Sequence, residues 1–186
     1  MEESGSDFRV NKPINLVKCI ENFESIPLNF SNDTTWVDLW VDGSYNNELG
    51  IVGSGVHVAQ GNLSLYDISF RTTKSILLKE HQCSGEILSV VGGLTFLEPF
   101  IQNGLNNIKI YYDYIGIEMW FNTAFNLTPN WKANSVSALS YIEYLKQFFS
   151  KYPNCKLSFN KVVSHTGIIL NDRADTLARH GAGLFL

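Results

Sequence analysis

Cysteine is scarce in this chain, and what there is lies far apart. Cys19, Cys83 and Cys155 form neither a disulfide framework nor a closely spaced zinc-binding pair, which favours a reducing compartment. A long apolar run is missing too. The most apolar helical candidate, from Ile87 to Ile101, is interrupted by Ser89, Gly92, Gly93, Thr95, Glu98 and Pro99, so no membrane span is expected. The first residues, MEESGSDF, are acidic and polar, the opposite of a signal peptide. No internal repeat or low-complexity tract occurs. These absences lead us to expect a soluble, cytoplasmic, monomeric protein.

Positive charge is also in short supply. With 14 Lys and Arg against 18 Asp and Glu, the net charge is −4, which taken alone argues against a nucleic-acid partner. The first 35 residues hold six of those acids and three of the bases, so 12 acids and 11 bases remain beyond them. If several of those acids hold divalent cations, the working site is positive. Net charge therefore decides little. What the chain does have is apolar material: 45% hydrophobic and 13% aromatic residues in 186. That is enough for one domain with some excess.

Residues 1–35 are weakly patterned and read as an N-terminal extension, a tail or partly ordered. Lys18 to Phe23 suits a short helix between Pro13 and Pro27. From Trp36 to the end, residues 36–186, the pattern sharpens into one domain. WVDLWVDGSY alternates and stops at Gly43, as a half-buried strand does. GIVGSGVHVA and LSLYDISFR follow as strands around a turn at Gly61-Asn62. SGEILSVVGGLTFLEPFI suits a helix with Ser84 as N-cap. IKIYYD reads as a buried central strand, with a short helix through Ile117 to Phe121 after it. Asn134 to Phe149 carries apolar residues at helical spacing. KLSFNKVV is the last strand, and NDRADTLARHG the last helix, ended by a glycine. The Gly50, Gly53 and Gly55 cluster precedes no Gly-Lys-Ser/Thr, so it suggests close strand packing or a bulge. The order predicts an α/β domain with a mixed sheet covered by helices.

Four acids fall at telling places on that scaffold. Asp42 ends the first strand of the domain, Asp113 ends the apolar run IKIYY, and Glu86 and Asp175 open helices. Open α/β sheets build sites at strand carboxyl ends. Each acid alone has a plainer explanation. Glu86 and Asp175 could complement helix dipoles, worth about 0.3–1 kcal/mol each, and Asp42 before Gly43 could be a turn residue. Asp113 is harder to dismiss, because an acid closing an apolar strand is costly to bury unless paired or metal-bound. Four converging acids need cations, and hard oxygen ligands suit Mg²⁺ or Mn²⁺. No lysine or cysteine nucleophile stands nearby, which points to two-metal phosphoryl chemistry.

The segments WVDGSY, CSGE, IYYDYIGIEMW and SHTGIILNDRADTLARHG, in that order and spacing, resemble the four active-site segments of type 1 ribonuclease H. The resemblance covers about Trp36 to Gly181, and DYIGIEMW and NWKAN look like the bacterial branch without a long basic handle helix. It implies a ribonuclease H-like fold with a five-stranded mixed sheet, three antiparallel strands then two parallel. It implies a metal-dependent endonuclease that cuts the RNA strand of RNA–DNA hybrids with two Mg²⁺ ions, replaceable by Mn²⁺. Asp42 would bridge both ions and Asp175 help hold the one that activates water. Glu86 and Asp113 would hold the ion at the leaving oxygen, and His165 would assist proton transfer or product departure. Asn171 has two readings of equal weight, an N-cap or an orienter of the attacking water.

For the substrate, the resemblance places the backbone of Gly43 and Ser44, and the segment from Gln82 and Cys83 to Glu86, on the RNA strand. It places Trp131 against the DNA strand, where core packing is nearly as good a reading, and Thr166 near a DNA phosphate. Three positions depart from the family. Cys83 stands where asparagine or valine is usual, and His81 and Ser84 are atypical, which bears on strand selectivity more than on chemistry. The linker from Asn122 to Asn130 is longer than usual. Residues 1–35 are too short and too acidic for the family's N-terminal hybrid-binding domain, and are a candidate segment for recruiting a partner protein. Two alternatives stand beside the leading one: the same fold acting on another nucleic acid, and an inactive module that binds nucleic acid or protein. All four acids being present argues against the last.

Overall fold

The strand expected at WVDLWVDGSY runs further than its glycine suggests, from Trp36 to Asn46, and it is the spine of the domain. The structure, a computed structural model, describes residues 11–128, 133–163 and 167–184. In chain order its strands are β1 (Glu21–Pro27), β2 (Trp36–Asn46), β3 (Ile51–Gln60), β4 (Leu63–Thr72), β5 (Asn107–Tyr112) and β6 (Lys156–Lys161). Its helices are α1 (Ser75–Leu78), α2 (Gln82–Gln102), α3 (Gly116–Ala124), α4 (Val136–Lys151) and α5 (Ile169–Gly181). The strands form one sheet in the order β1-β4-β3-β2-β5-β6. β2, β3 and β4 are antiparallel neighbours, while β5 and β6 continue parallel to β2.

The sheet has six strands, not the expected five. The extra one, β1, comes from the N-terminal extension and pairs antiparallel with β4. Its sequence hides it for a physical reason. It is an edge strand exposed over most of its length, its register slips between Glu21 and Glu24, and Asn22 sits at φ 49. A bulge of this kind breaks the two-residue period on which a strand is recognised.

The main core lies between the sheet and the layer of α2, α3 and α4. Leu39 and Val41 of β2, Val56 and Val58 of β3, and Ile108 and Ile110 of β5 meet Leu88, Val91 and Leu94 of α2, and all are buried. α2 is long and apolar enough to cross a membrane by length and composition, but it serves this core, with 67% of its most apolar stretch buried. It starts at Gln82 after His81, and Ser84 is no cap. Ser84 lies inside the first turn, its hydroxyl donating to the Leu77 carbonyl at 2.7 Å.

On the other face α5 lies against β3 and β2. The glycine cluster explains how close it comes. A Cβ on Gly53 would stand 2.1 Å from the Ala178 carbonyl oxygen, and one on Gly55 2.2 Å from that of Ala174. The close approach is therefore helix on strand, not strand on strand. A buried polar chain fixes the same helix: His57 Nδ1 lies 2.7 Å from Asp67 Oδ1, and the other oxygen of Asp67 accepts from Arg173 Nε at 2.9 Å.

Candidate active site

β2 and β5 run parallel and stay paired only as far as Trp40 and Tyr111. Two residues on, on the same face, come Asp42 and Asp113. Here β2 continues with β3 alone, pairing Asp42 with Gly55, while β5 ends at Tyr112. The strands part, and the crevice opens at their carboxyl ends, the usual location of a site in such sheets. Asp42 thus lies in mid-strand, which removes its reading as a turn residue.

Gly43, the next residue, brings in the third acid. A Cβ there would meet the Glu86 backbone nitrogen at 2.3 Å and the Gln82 carbonyl at 2.6 Å. Only glycine lets α2 rest directly on the strand, and that contact brings Glu86 beside Asp42. One ligand oxygen from each of Asp42, Glu86 and Asp113 lies within 4.8 Å of the others. Asp175 comes from α5 and lines the same cavity of about 430 Å³. Glu86 is the fifth residue of α2 and Asp175 the seventh of α5, so both stand in the second turn. Helix-dipole compensation fades within the first turn and does not account for them.

The electrostatics are those of a site short of positive charge. Burial, opposed by a hydrogen bond with Glu86 and reinforced by Asp113 and Asp175, pushes Asp42 up to about 6. Glu86 is raised well above the ordinary range, by burial first and then by Asp42 and Asp113. One Asp42 oxygen accepts from the Gly43 amide at 2.8 Å, but Glu86 Oε2 is buried with no hydrogen-bond partner. An orphaned carboxylate oxygen beside two further carboxylates fits a divalent cation, and an all-oxygen donor set fits a hard one.

The same cavity is lined by Gly43, Ser44, Gln82 and Cys83, and by three residues that sequence reading did not single out, Tyr114, Arg179 and Leu184. Burial, helped by the Cys83 thiol, pushes Tyr114 up to about 12, so its hydroxyl stays protonated. Arg179 stands four residues after Asp175 on one helix, and that spacing was a readable signal. Asn171 is buried in the first turn of α5. The cap position belongs to Ile168, without a side-chain bond, so the N-cap reading of Asn171 fails. Trp131, His165 and Thr166 lie outside the described residues. A separate cavity of about 490 Å³ near Ile14 and Tyr152 holds no comparable group of acids, and its Glu98 is already paired with Lys151 at 2.5 Å.

No protein-family model matches this chain, and no curated protein sequence matches it significantly. Solved structures do resemble it. The N-terminal RNase H domain of rv2228c from Mycobacterium tuberculosis superposes with a TM-score of 0.56 at 15% identity, over 80% of this chain and 94% of that one. RNase H1 from Halobacterium salinarum gives 0.55 at 16% identity, over 80% and 98%. LC11-RNase H1, isolated from compost by a metagenomic approach, gives 0.56 at 16%, over 80% and 96%. With its mixed sheet and its helices on both faces, the chain has the ribonuclease H-like fold.

Proposed function

We propose that this protein is a divalent-cation-dependent endonuclease that hydrolyses the RNA strand of RNA–DNA hybrids. The observation that carries the proposal is the convergence of Asp42, Glu86 and Asp113 within 4.8 Å, with Asp175 on the wall of the same cavity. Asp42, Glu86 and Asp113 would hold one cation, and Asp42 with Asp175 a second. Bound there, Mg²⁺ or Mn²⁺ would offset the carboxylate repulsion, activate water and take up charge on the leaving oxygen. The chain's own groups do the rest. Gly43, Ser44, Gln82 and Cys83 line the approach to the acids and would read the RNA strand, whose 2′-hydroxyls distinguish it from DNA. Asn171, buried one turn before Asp175, would orient the attacking water. His165 would move the proton that leaves the attacking water or reaches the departing oxygen.

The test is to incubate the protein with labelled RNA–DNA hybrid, double-stranded RNA and double-stranded DNA, each with Mg²⁺, with Mn²⁺ and with excess chelator. Cleavage of the hybrid's RNA strand alone, in either metal and not in chelator, is expected. Undiminished cleavage in chelator would rule out the metal reading, and cutting of another duplex would rule out hybrid specificity.

A further inference from the structure

α5 does more than carry Asp175. One turn further along it, Arg179 lines the same cavity as the acids. An arginine near a helix C-terminus complements the dipole, and an aspartate four residues earlier is its natural partner. Arg179 has not settled into that pairing. Among the described residues it makes no ion pair, and its Nε is buried with no hydrogen-bond partner. A desolvated donor is unfavourable until an acceptor meets it.

The helix end is pinned at the backbone of this residue. Gly183, at φ 72, turns the chain back so that the Leu184 amide bonds the Arg179 carbonyl at 2.9 Å, and Leu184 then forms part of the cavity wall. The backbone under Arg179 is thus fixed while its guanidinium stays uncommitted. The acids are matched to cations. The one cationic side chain among the described residues of this wall is matched to an anion, and a planar guanidinium fork suits phosphate above all.

We infer that Arg179 binds a phosphate of the cleaved strand next to the scissile one, and so sets which phosphodiester reaches the acids. The inference rests on the function proposed above. Arg179 is a substrate-binding residue in this account and takes no proton. It holds one end of the strand while the bond one phosphate away is cut.

Equilibrium binding can separate this inference from the proposed function. Hybrid binding is measured by fluorescence anisotropy in an Asp42→Asn background, which suppresses turnover, with and without Arg179→Ala and Arg179→Lys. Circular dichroism and thermal melting establish that each variant is folded. Arg179→Ala should weaken binding about tenfold, the loss of a charge-assisted contact. It should also flatten the slope of log affinity against log salt by about one. Arg179→Lys, which keeps the charge and loses the fork, should fall between. Hybrids with a single methylphosphonate beside the scissile position complete the test. One such substitution should weaken binding to the Asp42→Asn protein by the same factor, yet add nothing once Arg179 is alanine. If the alanine variant does not fold, the same comparison with Arg179→Lys decides, because its methylphosphonate penalty must shrink. Absence of hybrid binding in the Asp42→Asn protein would overturn the proposed function. Normal binding with an unchanged salt slope in Arg179→Ala, or methylphosphonate penalties equal with and without Arg179, would overturn this inference alone.

Discussion

Asp42 shows at the scale of one residue how a site that awaits cations weakens the fold that holds it. Its carboxyl is pushed up from an ordinary 3.8 to about 6, so between those values the folded protein holds more protons than the unfolded chain. Stability of the metal-free protein is then fully present below about pH 4 and falls as pH rises through about 6. Asp42→Asn removes the titration and relieves the charge on Glu86. We expect the melting temperature in chelator to fall between pH 4 and 7 in the wild type and to fall less in the variant. By pH 7 the variant should be the more stable, by roughly 1–3 kcal/mol. Cleavage should be abolished throughout. Parallel melting curves against pH in the two proteins would show that Asp42 is not under strain.

At the scale of elements, two backbone contacts set the site: α2 on Gly43 and α5 on Gly53 and Gly55. A Cβ on Gly55 would stand 2.2 Å from the Ala174 carbonyl, 2.3 Å from the Ala178 amide and 2.8 Å from Leu177 Cβ, an atom fixed to the helix backbone. No flexible side chain stands there to give way, so α5 must shift and Asp175 with it. Gly55→Ala should cost about 1–3 kcal/mol in urea unfolding and should lower cleavage in the fraction that stays folded. Gly61→Asn is the control, since nothing lies within 4 Å of a Cβ there and asparagine tolerates its φ of 58. If the two substitutions cost the same, close helix packing is not what Gly55 provides. The sequence made the strands β2 to β6 and the helices α2 to α5 legible, because each is an apolar or amphipathic run bounded by turn residues. It also marked the four acids. It did not show where α2 and α5 begin, since neither has a side-chain cap, so Glu86 and Asp175 were placed a turn too early. Arg179 escaped notice because one helical turn matters only once the helix is known to border the cavity.

For the molecule as a whole, the segment before Trp36 is part of the sheet and the core as far as the structure describes it. Leu16 and Cys19 are buried in the main core, and the Ile14 amide bonds Ser140 Oγ of α4 at 2.8 Å. Phe23 of β1 stacks on Phe70 with centroids 5.6 Å apart, and the Leu28 amide bonds the Leu65 carbonyl at 2.8 Å. None of the described residues lining the cavity comes from this segment. This segment thus adds to stability without entering the described cavity wall, and a truncation beginning at Trp36 should separate the two. Removing the burial of Leu16 alone is worth about 2–5 kcal/mol, and a domain of this size loses about 2–4 °C per kcal/mol. We expect the truncated protein to melt at least about 10 °C lower. It should also aggregate on warming, because β4 becomes an unpaired edge. At low temperature, cleavage per folded molecule should persist. An unchanged melting temperature would mean that the domain completes itself without β1. Loss of cleavage while the truncated protein remains folded would mean that the sixth strand also holds β3 and β4 in the position on which α5 and Asp175 depend.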